Sequence, residues 1–296
     1  MLATLIVNCR SGRSTSNAAE LPGLLAERGI EVNAFCPVEG EVELRRSVKR
    51  AVKSGAKLVI VGGGDGSMTT AVDVLAKRDI VLGILPLGTG NSFARTLGLD
   101  DDLEKALDAI GEGRTACVDL GLVNGTYFAN FAAIGLSAEI AESAPRSLKR
   151  AIGAAAYIVS GLVPFAKSEP FRVNVKWDGG KKRLETRQLV IASGRFFGHQ
   201  PIAPDATAVD HHLAFFTTTG ASHAEIVRMY LALSLGLQES LPDAVAFSAR
   251  KIRVKTKPKQ KISVDGNPLG KTPAKFSVVP RALHVIVGPG FGAAGR

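Results

Sequence analysis

The sequence predicts an α/β domain with a parallel sheet, followed by a mainly antiparallel β domain. Strand-like and helix-like segments alternate up to about residue 119, short strand-like runs dominate beyond it, and 296 residues suit two ordinary domains better than one. Apolar residues are 46% and charged residues 22%, a normal globular balance, so only the Gly288–Arg296 tail reads as loose.

Thr4–Asn8 reads as the first strand: an apolar run that Asn8, Arg10 and Ser11 end at once, too short for a signal peptide. A helix is predicted over Asn17–Arg28, then a strand over Glu31–Phe35. Glu41–Lys53 follows as a helix, with Val42, Val48 and Val52 among its apolar positions. Lys57–Val61 is a strand, Ser67–Ala76 a helix and Ile80–Leu85 a strand. This order argues for a parallel sheet with helices on both faces and a ligand site at the carboxyl ends of the strands. After Asp119 the runs Phe171–Trp177, Arg187–Ala192, Leu213–Thr218, Lys251–Thr256, Lys261–Val264 and Leu283–Val287 are separated by turns such as Asp178-Gly179-Gly180. They predict antiparallel pairing, interrupted by one helix at roughly Ala224–Leu237. The domains are therefore expected at 1–120 and 121–296, with a last strand that can pack back on the first domain. The uncharged stretch Ala151–Ala166 is shorter than the roughly 20 residues of a spanning helix and holds Gly153, Gly161 and Pro164, so it reads as a buried or interfacial helix.

A net charge of +10 and a pI of about 9.7 suggest an anionic partner, whether nucleic acid, membrane surface or phosphorylated ligand. Cys9, Cys36 and Cys117 lack metal-ligand spacing and suggest a reducing cytosol.

Two segments carry the chemistry. Gly62-Gly63-Gly64-Asp65-Gly66-Ser67 lies between a buried strand and a helix. Its glycines let backbone approach a phosphate, the helix N-terminus offers N–H groups, and Asp65 can hold Mg²⁺ or receive a hydroxyl proton. Pro86-Leu87-Gly88-Thr89-Gly90-Asn91-Ser92-Phe93-Ala94-Arg95 follows the next strand and can cradle a nucleotide from the adjacent strand end. Either loop alone could be a capped strand-to-helix turn; two on consecutive strands form a much stronger signal.

Together these loops resemble the superfamily of diacylglycerol kinases, sphingosine kinases, NAD kinases and phosphofructokinases. The Pro-Leu-Gly-Thr-x-Asn-x-Phe-Ala-Arg form at Pro86–Arg95 is similar to the bacterial lipid kinase branch. Further matches are Asn8-Cys9-Arg10-Ser11-Gly12, Val118-Asp119-Leu120-Gly121, Ala203-Pro204-Asp205-Ala206 with Asp210, and Val264-Asp265-Gly266. The resemblance implies a phosphofructokinase- and NAD kinase-like first domain, ATP and Mg²⁺, and transfer of the γ-phosphoryl group to a lipid hydroxyl. It assigns the nucleotide to Asn8, Arg10, Ser11, Gly12, Gly62, Gly63, Gly64, Gly66, Ser67, Gly88, Thr89, Gly90 and Asn91, and metal to Asp65 and Asp210. Arg13 or Arg95 could also offset phosphate charge. The chain departs from the pattern at Cys9, Thr70, Ser92 and His211. The largest departure is Asn267, where the family's proposed general base is a glutamate; an amide cannot accept a proton as a carboxylate does. Either Asp65 or another carboxylate is then the expected base, or turnover is slow, with a catalytically weak nucleotide- or lipid-binding regulator, or an NAD kinase-like enzyme, as rival readings.

Gly266–Thr272 resembles a phosphate-binding loop but has one residue too few between its glycines, and a hairpin turn is expected there. His211-His212 shows no third metal ligand at suitable spacing. Lys251, Arg253, Lys255, Lys257, Lys259 and Lys261 recur with period two, which puts them on one face of a strand. That face is either a solvated edge or a contact for anionic lipid. Nucleic acid is disfavoured because no aromatic residues interleave. The expected location is cytoplasmic with peripheral membrane association, and a homodimer is left open.

Overall fold

The computed structural model describes residues 1–11, 18–99, 102–136, 138, 168–194, 196–197, 200–201, 208–219 and 241–292. Gly12, Arg13, Ala203–Ala206 and the expected helices at Ala151–Ala166 and Ala224–Leu237 lie outside the described residues. The chain divides into two compact units: Met1–Leu120 with Thr207–Val209 and Pro280–Arg296, and Gly121–Ala206 with Asp210–Val279.

In chain order the first elements are β1 (Leu2–Asn8), α1 (Leu21–Ala26), β2 (Glu31–Val38), α2 (Glu41–Lys53), β3 (Leu58–Gly63), α3 (Asp65–Leu75), β4 (Val81–Pro86), α4 (Ser92–Thr96) and α5 (Leu103–Glu112). Then come β5 (Thr115–Val123), β6 (Thr126–Phe128), β7 (Phe131–Gly135), β8 (Phe171–Trp177), β9 (Gly180–Thr186), β10 (Gln188–Ala192), β11 (Phe196–Phe197), β12 (Gln200–Pro201), β13 (Leu213–Thr218) and β14 (Ala244–Ala249). The last are β15 (Lys251–Lys257), β16 (Lys261–Val264), β17 (Asn267–Lys271) and β18 (Ala274–Ile286).

In the first unit the strands run in the order β2-β1-β3-β4, all parallel. The end of β18 adds a further parallel strand beside β4, with His284 opposite Val81. β3 is buried along its whole length, as its Leu-Val-Ile-Val run requires of an interior parallel strand. The chain passes from β1 to β2 on one side and to β3 on the other, so a topological switch point lies between β1 and β3. α2 packs with α3 and α1 with α5. Asp102 caps α5 by accepting from the Glu104 N–H at 2.9 Å, and Gly113, at φ 67°, ends it. On α2, Leu44, Val48 and Ala51 are buried while Val42 is 66% exposed, because two residues before Leu44 it lies about 200° around the helix, on the face away from the core.

The second unit contains two antiparallel layers. One has the order β14-β13-β10-β7-β16-β17. The other joins the start of β18 to β15, β8 and β9. Phe171, Val175, Ile252 and Phe276 of the latter pack with Ile134, Leu189, Phe215 and Ile262 of the former in one buried cluster. Phe247 stacks between Trp177 and Phe215, with ring centroids 4.1 and 4.5 Å away. The strict alternation of burial along β8 marks a strand with one face in this core and one outside.

Two expectations change. The run Leu283–Val287 is not a separate antiparallel strand: it is the end of the 13-residue β18, and there it pairs parallel to β4. The strand expected to end at Val61 runs on to Gly63, and the helix expected from Ser67 starts at Asp65, directly after the extended Gly64.

Candidate active site

The glycine loops leave the carboxyl ends of β3 and β4, neighbouring strands of the first unit. They touch through bare backbone. A Cβ on Gly88 would lie 2.5 Å from the Gly64 Cα and 2.8 Å from the Asn91 Oδ1, and one on Gly64 would lie 3.1 Å from the Gly88 Cα. Glycine is needed at both positions for the loops to meet, whatever ligand lies above them. No side chain caps α3 at Gly64, so its first turn presents backbone N–H groups beside this contact.

Asp65 is the first residue of α3 and is half-buried. Its carboxylate accepts from the Phe93 N–H and the Ser92 hydroxyl, both at 3.4 Å, so it meets the N-terminus of α4. The carboxylate of one loop therefore orients the other. Asn91 takes the left-handed conformation at φ 50°. Its Oδ1 accepts from the Gly88 N–H at 3.0 Å and its amide donates to the Gly88 and Pro86 carbonyls. Thr89, at the loop tip, is exposed. Arg95 donates to the Gly90 carbonyl at 3.5 Å.

Asn8, at the end of β1, joins the group. Its amide donates to the Ser67 hydroxyl at 2.9 Å and its Oδ1 accepts from the Arg10 N–H. The Ser11 hydroxyl sits close to Gly63, 3.4 Å from where a Cβ would be. Arg10 is exposed and pairs with Glu39 at 3.0 Å. The structure thus brings Asn8, Ser11, Gly62–Ser67 and Gly88–Asn91 to one end of the sheet, while Asn8 and Asn91 hold the loops with their polar atoms. Glu41, the first residue of α2, was not singled out by the sequence: its Oε1 lies 3.1 Å from the Cβ position of Gly66. An acidic residue after Gly40 was the only local signal.

The Gly64–Gly88 contact gives a direct test. Gly88→Ala should weaken ATP binding by about tenfold or more, since neither neighbour is the far end of a flexible side chain and overpacking costs about 1–3 kcal/mol. Calorimetry showing unchanged affinity would rule out the loop pair as the nucleotide platform.

In the second unit, Asp265-Gly266 form the turn between β16 and β17, with φ of 45° and 81°. The Asp265 carboxylate accepts from the N–H groups of Ala129, Asn130 and Phe131 at 2.9–3.0 Å. It ties the turn to the entry of β7. Asp265→Ala should destabilise the protein by about 3 kcal/mol, because three buried donors lose a charged acceptor; denaturant unfolding checks this. Asn267 is half-buried at the first position of β17. The hairpin turn expected across Gly266–Thr272 is shorter and lies earlier: Asp265-Gly266 make the turn, and Asn267–Lys271 is β17, paired back on β16.

Asp210 accepts from the His212 N–H at 2.8 Å, which closes a local turn through His211 at φ 61°. Among the described residues no three His, Cys, Asp or Glu side chains gather into a metal site. Mg²⁺ is commonly held by one or two carboxylates together with substrate phosphates, so Asp65, with Glu41 beside Gly66, fits that ion.

Residues 2–123 match the family model of the diacylglycerol kinase catalytic domain. Residues 130–287 match that of the YegS C-terminal NAD kinase beta sandwich-like domain. The diacylglycerol kinase of Staphylococcus haemolyticus is 28% identical over 289 residues, covering 96% of this chain and 87% of its own. That of Bacillus subtilis is 28% identical over 291 residues, covering 96% of each. A crystal structure from Bacillus anthracis superposes with a TM-score of 0.83 at 24% identity, over 97% of this chain and 95% of that one. A second from that organism, of a diacylglycerol kinase, gives 0.75 at 20% over 97% of each. At these identities the structures show a shared fold.

Proposed function

The chain belongs to the bacterial diacylglycerol kinase and lipid kinase family, and we propose that it transfers the γ-phosphoryl group of ATP to a hydroxyl of a diacylglycerol-like or sphingoid lipid. It is a phosphotransferase with an alcohol acceptor. The observation that carries the nucleotide assignment is the bare-backbone contact of Gly64 with Gly88 beside the uncapped start of α3. The β- and γ-phosphates lie on these N–H groups, as anions do at helix N-termini. Asn8, Ser67 and Asn91 keep the loops in shape, and Ser11 borders Gly63. Asp65 would hold Mg²⁺ or receive the acceptor proton. The ion, when bound, offsets charge on the transferring phosphoryl group.

Phosphoryl transfer needs positioning and electrostatic stabilisation more than covalent chemistry from the protein. An amide at Asn267 can donate to or accept from an acceptor hydroxyl while leaving proton acceptance to Asp65. The acceptor resides in a bilayer, so we place the reaction at the cytoplasmic membrane surface. Among the described residues no helix is long and apolar enough to cross a membrane. The test is transfer of label from γ-labelled ATP to a panel of lipids that includes diacylglycerol and sphingosine. Labelled lipid, dependent on Mg²⁺, is expected; no labelled lipid across the panel would overturn the reading.

A further inference from the structure

The cationic run of the sequence lies in a different setting from a strand edge. β15 ends at Lys257, and it is an interior strand, flanked by β18 and β8. Protection of an open edge therefore does not explain its lysines. Its neighbours extend the charge instead. Lys275 on β18, Arg253 on β15, Lys176 on β8 and Lys181 on β9 stand directly opposite one another in a single row across four strands. In the next row Lys255 and Arg183 flank Asn174, and in the third Lys257 stands opposite Arg172. Lys251 completes the face, opposite Ser277.

All these cationic side chains are exposed, while Ile252, Val254, Val173, Val175, Ala274 and Phe276 on the other face are buried in the core. The carboxylate among these paired positions is Glu185, opposite Arg172. The ion pairs among the described residues involve other residues. Like charges directly opposite on neighbouring strands oppose folding. A four-cation row is a local conflict with stability, of the kind retained where an external anion relieves it.

The shape of the patch selects the anion. With strands about 4.8 Å apart and a rise of about 3.3 Å per residue, the cations cover a platform of roughly 14 by 20 Å. It is a sheet face, not a groove, and the neutral positions on it are Asn174 and Ser277, so a nucleobase has no ring to stack on. A plane of phosphates matches it. We propose that this face of the β18-β15-β8-β9 layer docks the protein reversibly on anionic phospholipid bilayers. The choice of a lipid surface rests on the lipid kinase reading.

The test is sedimentation of the full chain with vesicles of phosphatidylcholine alone or with about 30% phosphatidylglycerol. Binding should require the anionic lipid and fall as salt rises and the screening length shortens. Each cation near such a surface is worth about fivefold in affinity, so Arg253→Glu with Lys255→Glu, a change of four charges, should weaken binding by two to three orders of magnitude. Folding should survive, because a carboxylate at position 253 lies between Lys176 and Lys275. Lys49→Glu with Lys53→Glu, exposed on α2, changes net charge equally and should have a much smaller effect. An equal loss in that control would reduce the result to net charge and overturn the proposal, as would tighter binding of transfer RNA than of anionic vesicles at matched salt. Kinase assays separate the two readings. The sheet variant should lose activity on vesicle-borne diacylglycerol and keep it on a short-chain, water-soluble one. Parent-like activity and binding of that variant on vesicles would overturn docking while leaving the kinase intact. Salt-sensitive docking through this face without phosphorylation of any lipid would overturn the kinase reading alone.

Discussion

Replacing Asp65 with asparagine is expected to lower kcat for lipid phosphorylation by about 10²–10⁴-fold, the range that a positioned acid–base group supplies. The carboxylate stands at the start of α3, where the two glycine loops meet, and it is the acidic group of that contact. Asparagine keeps an oxygen for the Phe93 N–H and an amide for the Ser92 hydroxyl, so the link to α4 survives. What is lost is the negative charge that would hold Mg²⁺ or take a proton. ATP affinity measured without metal should change little, whereas the metal concentration needed for half-maximal activity should rise. Activity equal to that of the parent would remove Asp65 from the chemistry and leave it as the residue that orients α4.

Asn267→Glu is expected to raise kcat by at least about tenfold, within the range of a restored general base. Position 267 follows the Asp265-Gly266 turn, whose shape is held by the three N–H groups on Asp265 and not by Asn267 itself. β17 is also the last strand of its sheet, so one added methylene has room to be accommodated. KM for ATP should stay constant. In the double variant with Asp65→Asn the gain should vanish if Asp65 binds the metal. If it persists, position 267 has become the base and Asp65 was the base before. A parent enzyme already fast, with no gain from glutamate, would show that the proton leaves by another route.

With only Asp65, and Glu41 beside Gly66, as carboxylates at the loops among the described residues, Mg²⁺ would rely on nucleotide phosphates for much of its binding. Metal affinity should therefore be weak in the absence of nucleotide and rise when ATP is present, a coupling that calorimetry in both orders of addition measures.

Local chemistry was legible where residue type dictates backbone. The glycine loops could be located because consecutive glycines after a buried aliphatic run permit few structures other than a tight strand-to-helix turn. The hairpin between β16 and β17 was legible but not its exact turn: Asp265 and Gly266 take the positive φ, and the following Asn267–Lys271 is strand. β8, β13 and β16 could be delimited to the residue, since alternating or sharply bounded apolar runs report which face is buried. Other strands escaped. β7 is Phe-Ala-Ala-Ile-Gly, buried throughout, and its alanines carry no strand preference. The full length of β18 is hidden in the sequence because Pro280 and Arg281 interrupt its apolar pattern.

The sequence by itself determined the kinds of element, the places where backbone must approach backbone, and the spacing of charge along one strand. The tertiary structure alone decided that Gly64 lies against Gly88, that Asp65 reaches the start of α4, and that Lys275, Arg253, Lys176 and Lys181 form one row. The reason is that periodicity records how each segment is buried, which is a property of that segment. Which strand lies beside which, and in what register, follows from packing the whole core, and every cross-strand pair inherits its meaning from that choice.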